Sequence, residues 1–457
     1  MRGRRFTGEE LRWWMLAILF LCCRLRSPSS PCLIAAADEL VVTHLPGFQG
    51  PLPFQLRTGY VEVDEHNGVR LFYYFILSEG SPADDPVMLW LSGGPGCTSF
   101  TGLVYQNGPL SFDIDSYMGG LPRLVYRPET WTKVSNIIFL DSPVGAGFSY
   151  SVKEQGYNSS DTKAVNHILI FLKKWFEEHP EFLSNPLYIG GDSYAGMIVP
   201  TVTSEIGLKI VGSEPAMNLK GYLVGNPFTD FSNFDEPSKI PFAHRMALIS
   251  DQMYECVKGI SEFHVLEPNC AYASPYQYNV LKLKTSSGVQ KMQQLLDSTI
   301  EGLHLSEIST QCRTMLYTLS RLWANNATVR EALGIHKGTV PLWLRCNKGI
   351  TYVKDIQSSV KYHLDVTTKG YRSLVYSGDH DMAVPYIGTQ SWIRSLNFSV
   401  VDDWRPWYVD GQVAGYTTLY SNNLTFATVK GAGHTAPEYM PRQCLAMLSR
   451  WLAGLPL

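Results

Sequence analysis

Seven residues, Gly190-Gly191-Asp192-Ser193-Tyr194-Ala195-Gly196, constrain this chain more than any other stretch. They follow the strand-like run Leu187 to Ile189 and precede a segment that reads as helix from Tyr194 onward. A strand that passes directly into a helix must turn sharply, so the residues beside the turn must be small. Gly191 and Ala195 meet that need. A hydroxyl at the apex then projects from the sheet edge, and the helix aims its first N–H groups at negative charge developing there. The simpler reading is an ordinary strand–helix turn in which Ser193 is only a cap.

The surrounding pattern supports a sheet with helices on both faces. Val87 to Leu91 is a short apolar run that ends in Ser92-Gly93-Gly94-Pro95-Gly96. Asn136 to Leu140 is another, ending in Asp141-Ser142-Pro143. Residues 161–178 read as a helix, with Asp161 as its cap and Ala164, Ile168, Phe171, Leu172 and Trp175 at helical spacing. Such alternation predicts an α/β fold with a mostly parallel sheet. From about 230 to 345 the helix-like patches turn more polar and three cysteines fall inside, which predicts an inserted, mainly helical cap. The rhythm resumes at Arg372 to Tyr376 and Leu424 to Val429, and a last helix is expected over Arg442 to Leu452.

A serine hydroxyl needs a base and a group to orient that base before it can act as a nucleophile. Two later strand ends supply the right residue types. Arg372 to Tyr376 leads into Ser377-Gly378-Asp379-His380-Asp381, and Leu424 to Val429 into Lys430-Gly431-Ala432-Gly433-His434. Groups just past the carboxyl ends of strands sit where open α/β sheets place their sites. His434 would take the proton of Ser193, and an aspartate of the 379–381 segment would fix its tautomer. Spacing alone does not separate Asp379 from Asp381. The glycines after Trp90-Leu91 let backbone N–H groups approach a substrate oxygen. We assign one oxyanion donor to the Gly94 N–H and the other to the Tyr194 N–H. A phosphate loop is excluded because no Gly-Lys-Ser/Thr follows the glycine run.

These segments together resemble the serine carboxypeptidase-like proteins of plants. The resemblance rests on Leu89 to Cys97, Phe139 to Tyr150, the Ser193 turn, Ser377 to Asp381 and Gly431 to His434, in the family's order, and covers the chain from about residue 40. It implies the α/β-hydrolase fold, a triad of Ser193, Asp381 and His434, and disulfides Cys97–Cys346 and Cys270–Cys312. The family contains peptidases and acyltransferases. Peptidases usually carry Asn-Gly-Gly-Pro-Gly and Gly-Glu-Ser-Tyr, where the Asn, the Glu and a further Glu bind a peptide's terminal carboxylate. Here Ser92 and Asp192 stand in the first two places and Gln106 in the third, beside Gly93. This is more similar to the acyltransferase branch, which moves an acyl group from a 1-O-β-glucose ester to an acceptor. The expected partners are therefore a small acyl donor and acceptor, with a peptide substrate as the alternative, and no metal or cofactor. A catalytically silent member is a third reading. Relatives carry an extra loop between Tyr254 and Cys256 that is missing here, and Cys256 and Cys444 are left without evident partners. Lys282 to Gln290 could be an exposed, cleavable loop.

The remaining features concern the compartment. Arg2, Arg4 and Arg5 precede the apolar run Trp13 to Cys23, and Ala35 to Ala37 follow. That order predicts a cleaved leader over residues 1–37, and the run is too short to span a bilayer comfortably. Residues 38–457 are then a single domain that keeps Cys97, Cys256, Cys270, Cys312, Cys346 and Cys444, with no CxxC pair to suggest zinc. Asn158, Asn326, Asn397 and Asn423 each begin a glycosylation sequon. An extracellular or vacuolar protein is expected. A net charge of −3 over 457 residues offers no basic stripe for nucleic acid.

Overall fold

The computed structural model describes residues 39–209, 216–249, 265–266 and 313–457. The expected leader, Cys256, Cys270, Cys312, the Tyr254–Cys256 junction and Lys282 to Gln290 lie outside these residues. Eleven strands run through one sheet: β1 (Glu39–Val42), β2 (Leu56–Asp64), β3 (Val69–Ile76), β4 (Val87–Leu91), β5 (Asn136–Leu140), β6 (Leu187–Asp192), β7 (Leu219–Gly225), β8 (Arg372–Gly378), β9 (Val400–Val409), β10 (Gln412–Tyr420) and β11 (Leu424–Val429). Their spatial order is β1-β2-β3-β5-β4-β6-β7-β8-β11-β10-β9, and the short pair Tyr150–Ser151 adds to β3. The central run from β5 to β11 is parallel. Both ends are antiparallel.

The central strands are apolar along their whole length because both faces are covered. Every residue of β4 and β5 is buried. Period-two alternation splits each strand between two cores. Met88, Trp90, Ile137 and Phe139 enter one core, which also holds Trp131, Trp323 and the C-terminal helix residues Met447, Leu448 and Trp451. Leu89, Leu91, Ile138 and Leu140 enter the other. There they meet helix α1 (Asp161–Glu178) through Ile168, Phe171 and Leu172, and helix α2 (Ala195–Lys209) through Ile198, Val199 and Val202. Burying a side chain such as Phe171 stabilises the fold by about 1.5–3 kcal/mol. The exposed edge strand β9 is broken by bulges and carries Pro406, which blunts it against pairing with another chain.

The bounds of α1 match the expected helix, but its cap does not. Ser160 is the cap residue, and its Oγ accepts the Lys163 N–H at 3.2 Å. The Asp161 carboxylate, one residue later and fully buried, is taken by tertiary partners instead. Of the expected cap, the described residues hold a turn over Phe231–Asp235 followed by helix α3 (Glu236–Arg245), and helices α4 (Arg313–Asn325) and α5 (Ala327–Ala332). Among the described residues no helix is long and apolar enough to cross a membrane.

Candidate active site

Five neighbouring strands deliver polar groups to one edge of the sheet. The loop after β4 carries Ser92 to Cys97, β6 ends at Asp192 and Ser193, and β7 ends beside Asn226. The loops after β8 and β11 carry Asp379 to Asp381 and His434. All five strands are parallel neighbours, so their carboxyl ends converge.

Ser193 holds a left-handed backbone with φ of 57°. A non-glycine residue is rarely found there, and the strain is characteristic of functional turns. Backbone bonds on both sides keep it in place: Ser193 N–H to the Gly225 carbonyl at 3.0 Å, and Phe228 N–H to the Ser193 carbonyl at 2.9 Å. Gly191 has to be glycine, because a Cβ there would lie 2.6 Å from the Leu91 carbonyl oxygen and 2.7 Å from the Ala195 Cβ.

His434 meets both of its expected partners. Its Nε2 lies 2.8 Å from Ser193 Oγ, and its Nδ1 lies 2.8 Å from Asp381 Oδ2. A carboxylate only accepts, so the proton sits on Nδ1 and leaves Nε2 free to accept from the serine. Asp381 has no exposed surface. Its remaining lone pairs accept the Asn226 Nδ2–H at 2.7 Å and the N–H groups of Ala383 at 2.8 Å and Val384 at 3.2 Å. Burial opposes protonation of His434, but the charge and hydrogen bond of Asp381, with a contribution from Asp192, outweigh it and raise the imidazole above its ordinary value.

The two aspartates of this segment face different groups. Asp379 Oδ1 accepts the Gly431 N–H at 2.7 Å and lies 2.7 Å from His380 Nδ1. It ties the β8 loop to the β11 loop. Asn226 was not anticipated from the sequence. It lies fully buried with φ of 42°, donates to Asp381 and accepts the Gly378 N–H at 3.1 Å. A strand-end Asn-Pro pair, Asn226-Pro227, is the signal that could have found it.

The loop after β4 packs onto the turn at Ser193. A Cβ on Gly93 would sit 2.5 Å from the Tyr194 nitrogen and 2.7 Å from the Ser193 Cβ, so only glycine permits this approach. Gly94 follows at an exposed position. No hydrogen bond among the described residues occupies the Gly94 or Tyr194 N–H. Ser99 Oγ accepts the Ser92 N–H at 3.1 Å, and buried Asp141 accepts from Thr98 Oγ1 and the Ser99 N–H, which anchors the base of the loop. The Cys97–Cys346 disulfide holds its far end. Cys444 is a free, buried thiol whose burial pushes its pKa up.

Asp192 and Gln106 come together beside Gly93, the residue after Ser92. Gln106 is buried on a helical turn, Gly102–Gln106, and its Nε2–H donates to Asp192 Oδ2 at 2.8 Å. Burial pushes Asp192 up to about 6, while the His434 charge, the Gln106 bond and the Gly93 N–H pull against that rise. Asp192 Oδ1, Gln106 Oε1 and Ser92 Oγ are buried with no partner among the described residues. Buried unpaired polar atoms are costly unless something else satisfies them. Among the described residues no cluster of side chains could hold a metal ion.

The serine carboxypeptidase family model matches residues 46–454. The chain belongs to the serine carboxypeptidase family. Serine carboxypeptidase-like 17 of Arabidopsis thaliana is 50% identical over 91% of this chain and 93% of its own length. Serine carboxypeptidase-like 2 of the same plant is 48% identical over the same shares. A prohormone-processing carboxypeptidase of Saccharomyces cerevisiae, a solved structure, superposes with a TM-score of 0.66 at 20% identity, covering 88% of this chain and 92% of that one. That likeness shows a shared α/β-hydrolase fold. This member of the serine carboxypeptidase family is an enzyme by its family and fold.

Proposed function

We propose that the chain is an acyltransferase that works through Ser193, His434 and Asp381. Ser193 attacks the carbonyl of an ester while His434 accepts its proton. The Gly94 and Tyr194 N–H groups stabilise the oxyanion, and His434 returns the proton to the leaving alcohol. An acyl-Ser193 forms, and an acceptor hydroxyl activated by His434 takes the acyl group. The observation that carries the transferase reading is the bond from Gln106 to Asp192. It commits one of the two Gln106 amide hydrogens to Asp192 and favours the carboxylate against the burial that raises it to about 6. Where Asp192 is ionised, this acceptor-rich corner repels a peptide's terminal carboxylate, whereas the hydroxyls of a glucose leaving group can donate to Asp192 Oδ1 and Gln106 Oε1.

The test is a pair of incubations of the glycosylated, secreted protein. One supplies a hydroxycinnamoyl glucose ester with an acceptor alcohol, the other blocked dipeptides at acid pH. Transfer product in the first supports the reading. Free C-terminal amino acid as the main product overturns it in favour of a serine carboxypeptidase. The absence of a fluorophosphonate adduct on Ser193 overturns both and leaves a silent member. The same reading makes residues 1–37 a cleaved secretory leader and about 230–345 a cap on one domain. It is supported by the surface positions of Asn158, Asn397 and Asn423 and the half-buried Asn326, where glycans could attach.

A pH prediction arises here. His434 must be neutral to accept the proton, and its pKa is raised in part by Asp192. The acid limb of kcat/KM is therefore expected above the ordinary imidazole value. Asp192→Asn removes a negative charge that favours the imidazolium, so the limb should move to lower pH. Initial rates on a neutral ester across pH check this; a limb that stays in place or moves up contradicts it.

A further inference from the structure

Tyr194 is held from its side chain as well as from its backbone. Its phenol donates to Asp161 Oδ1 at 2.9 Å, and the Tyr352 phenol donates to the same oxygen at 2.8 Å. The other carboxylate oxygen accepts the Ile356 N–H at 2.9 Å. Asp161 has no exposed surface, yet the usual task of an acidic residue at the start of a helix is already performed by Ser160. A buried carboxylate with three donors that all come from outside its own helix is a tertiary anchor. What it anchors is the residue next to Ser193.

Tyr194 lies just before the first residue of α2, so the helix ladder does not fix its N–H. The Tyr194 carbonyl accepts the Met197 N–H at 3.0 Å, which restrains one side of the residue. The phenol bond to Asp161 restrains the other. Above the ring, Lys354 Nζ stands 5.1 Å from its centre, on the same segment that supplies Tyr352 and Ile356. That segment pairs with Ser159–Ser160 and leads back to Cys346, whose disulfide reaches the Gly94 loop. Both oxyanion donors are thus referred to one frame.

We propose that Asp161 is a positioning residue that aims the Tyr194 N–H at the oxyanion by holding the Tyr194 phenol. The proposal rests on the nucleophile reading above, but acylation is common to transferase and peptidase, so it does not depend on which of them is correct. Deleting a true oxyanion donor costs about 100- to 1000-fold in kcat. A donor still present but less well aimed should cost about tenfold.

The experiment follows acyl-enzyme formation with a chromogenic ester in the full glycosylated chain. Tyr194→Phe and Asp161→Asn are each expected to slow acylation about tenfold with KM changed less than about twofold, because the oxyanion forms only in the transition state. The double variant should be no slower than the slower single one, as expected for two residues acting through one bond. Thr162→Val breaks the bond of its hydroxyl to Asp355 on the same segment and should leave acylation within about twofold, which controls for loosening of that segment. Wild-type acylation by Tyr194→Phe, a loss confined to KM, or simple additivity in the double variant overturns the proposal. Tyr194→Phe removes one oxygen and keeps the ring, so it decides even where Asp161→Asn folds poorly. If the wild-type enzyme itself gives no fluorophosphonate adduct on Ser193, the nucleophile reading fails. A labelled wild type with unaffected variants fails only the role of Asp161.

Discussion

Ser193→Ala should lower kcat by about a million-fold and abolish the fluorophosphonate adduct, while leaving the protein folded. The size follows from triads in which loss of the nucleophile costs nearly as much as loss of all three members. The fold should survive because, among the described residues, the serine hydroxyl bonds only to His434 Nε2, and the backbone bonds that hold the turn use the Ser193 N–H and carbonyl. Ester binding should persist, since Ser92, Gln106 and Asp192 are untouched. Intact-mass analysis after probe treatment and single-turnover rates check both halves. An adduct that survives on another residue, or a loss of only a few-fold, would remove Ser193 from the reaction.

Asp381→Asn is expected to cost about 10⁴ in kcat/KM. The reason is donor and acceptor counting. Among the described residues Asp381 faces only donors: His434 Nδ1–H, Asn226 Nδ2–H, and the Ala383 and Val384 N–H groups. An amide nitrogen placed anywhere in that ring must confront a donor. If it faces His434, the proton moves to Nε2 and the base is lost. Asp379→Asn makes the contrast. Its amide oxygen can still accept the Gly431 N–H, so the loss should stay within about tenfold. Steady-state rates on one ester compare the two. If Asp379→Asn proved the more damaging, the acid would have been assigned to the wrong carboxylate.

Much of the site was legible because the strands that carry it are buried on both faces. Val87–Leu91 and Asn136–Leu140 read as short apolar runs and Leu424–Val429 as a strand, and all three have those bounds in the structure. Glycine and serine punctuate their ends, where the functional groups lie. The antiparallel ends were less visible. Val69–Ile76 is as buried as a central strand but carries no strand-end motif, and β9 is interrupted by bulges and Pro406. Residue roles failed to show where a distant partner is flagged by no motif. Asp161 looks like a cap from its neighbours, and only the arrival of Tyr194 and Tyr352, 33 and 191 residues away, gives it other work. Asn226 stayed hidden for the same reason, since its partner Asp381 lies 155 residues on.

The Cys97–Cys346 bond closes a span of 249 residues. Ser193 lies inside that span, and Asp381 and His434 lie beyond it. A single backbone cut between Ser193 and Cys346 would therefore divide the reacting groups between two polypeptides without releasing either. The nicked molecule would migrate as one species on a non-reducing gel and as two after reduction. Pairing of β6 and β7 with β4 and β8 would keep the severed pieces in register. One covalent bond and strand pairing within the sheet would thus hold two fragments as a single particle.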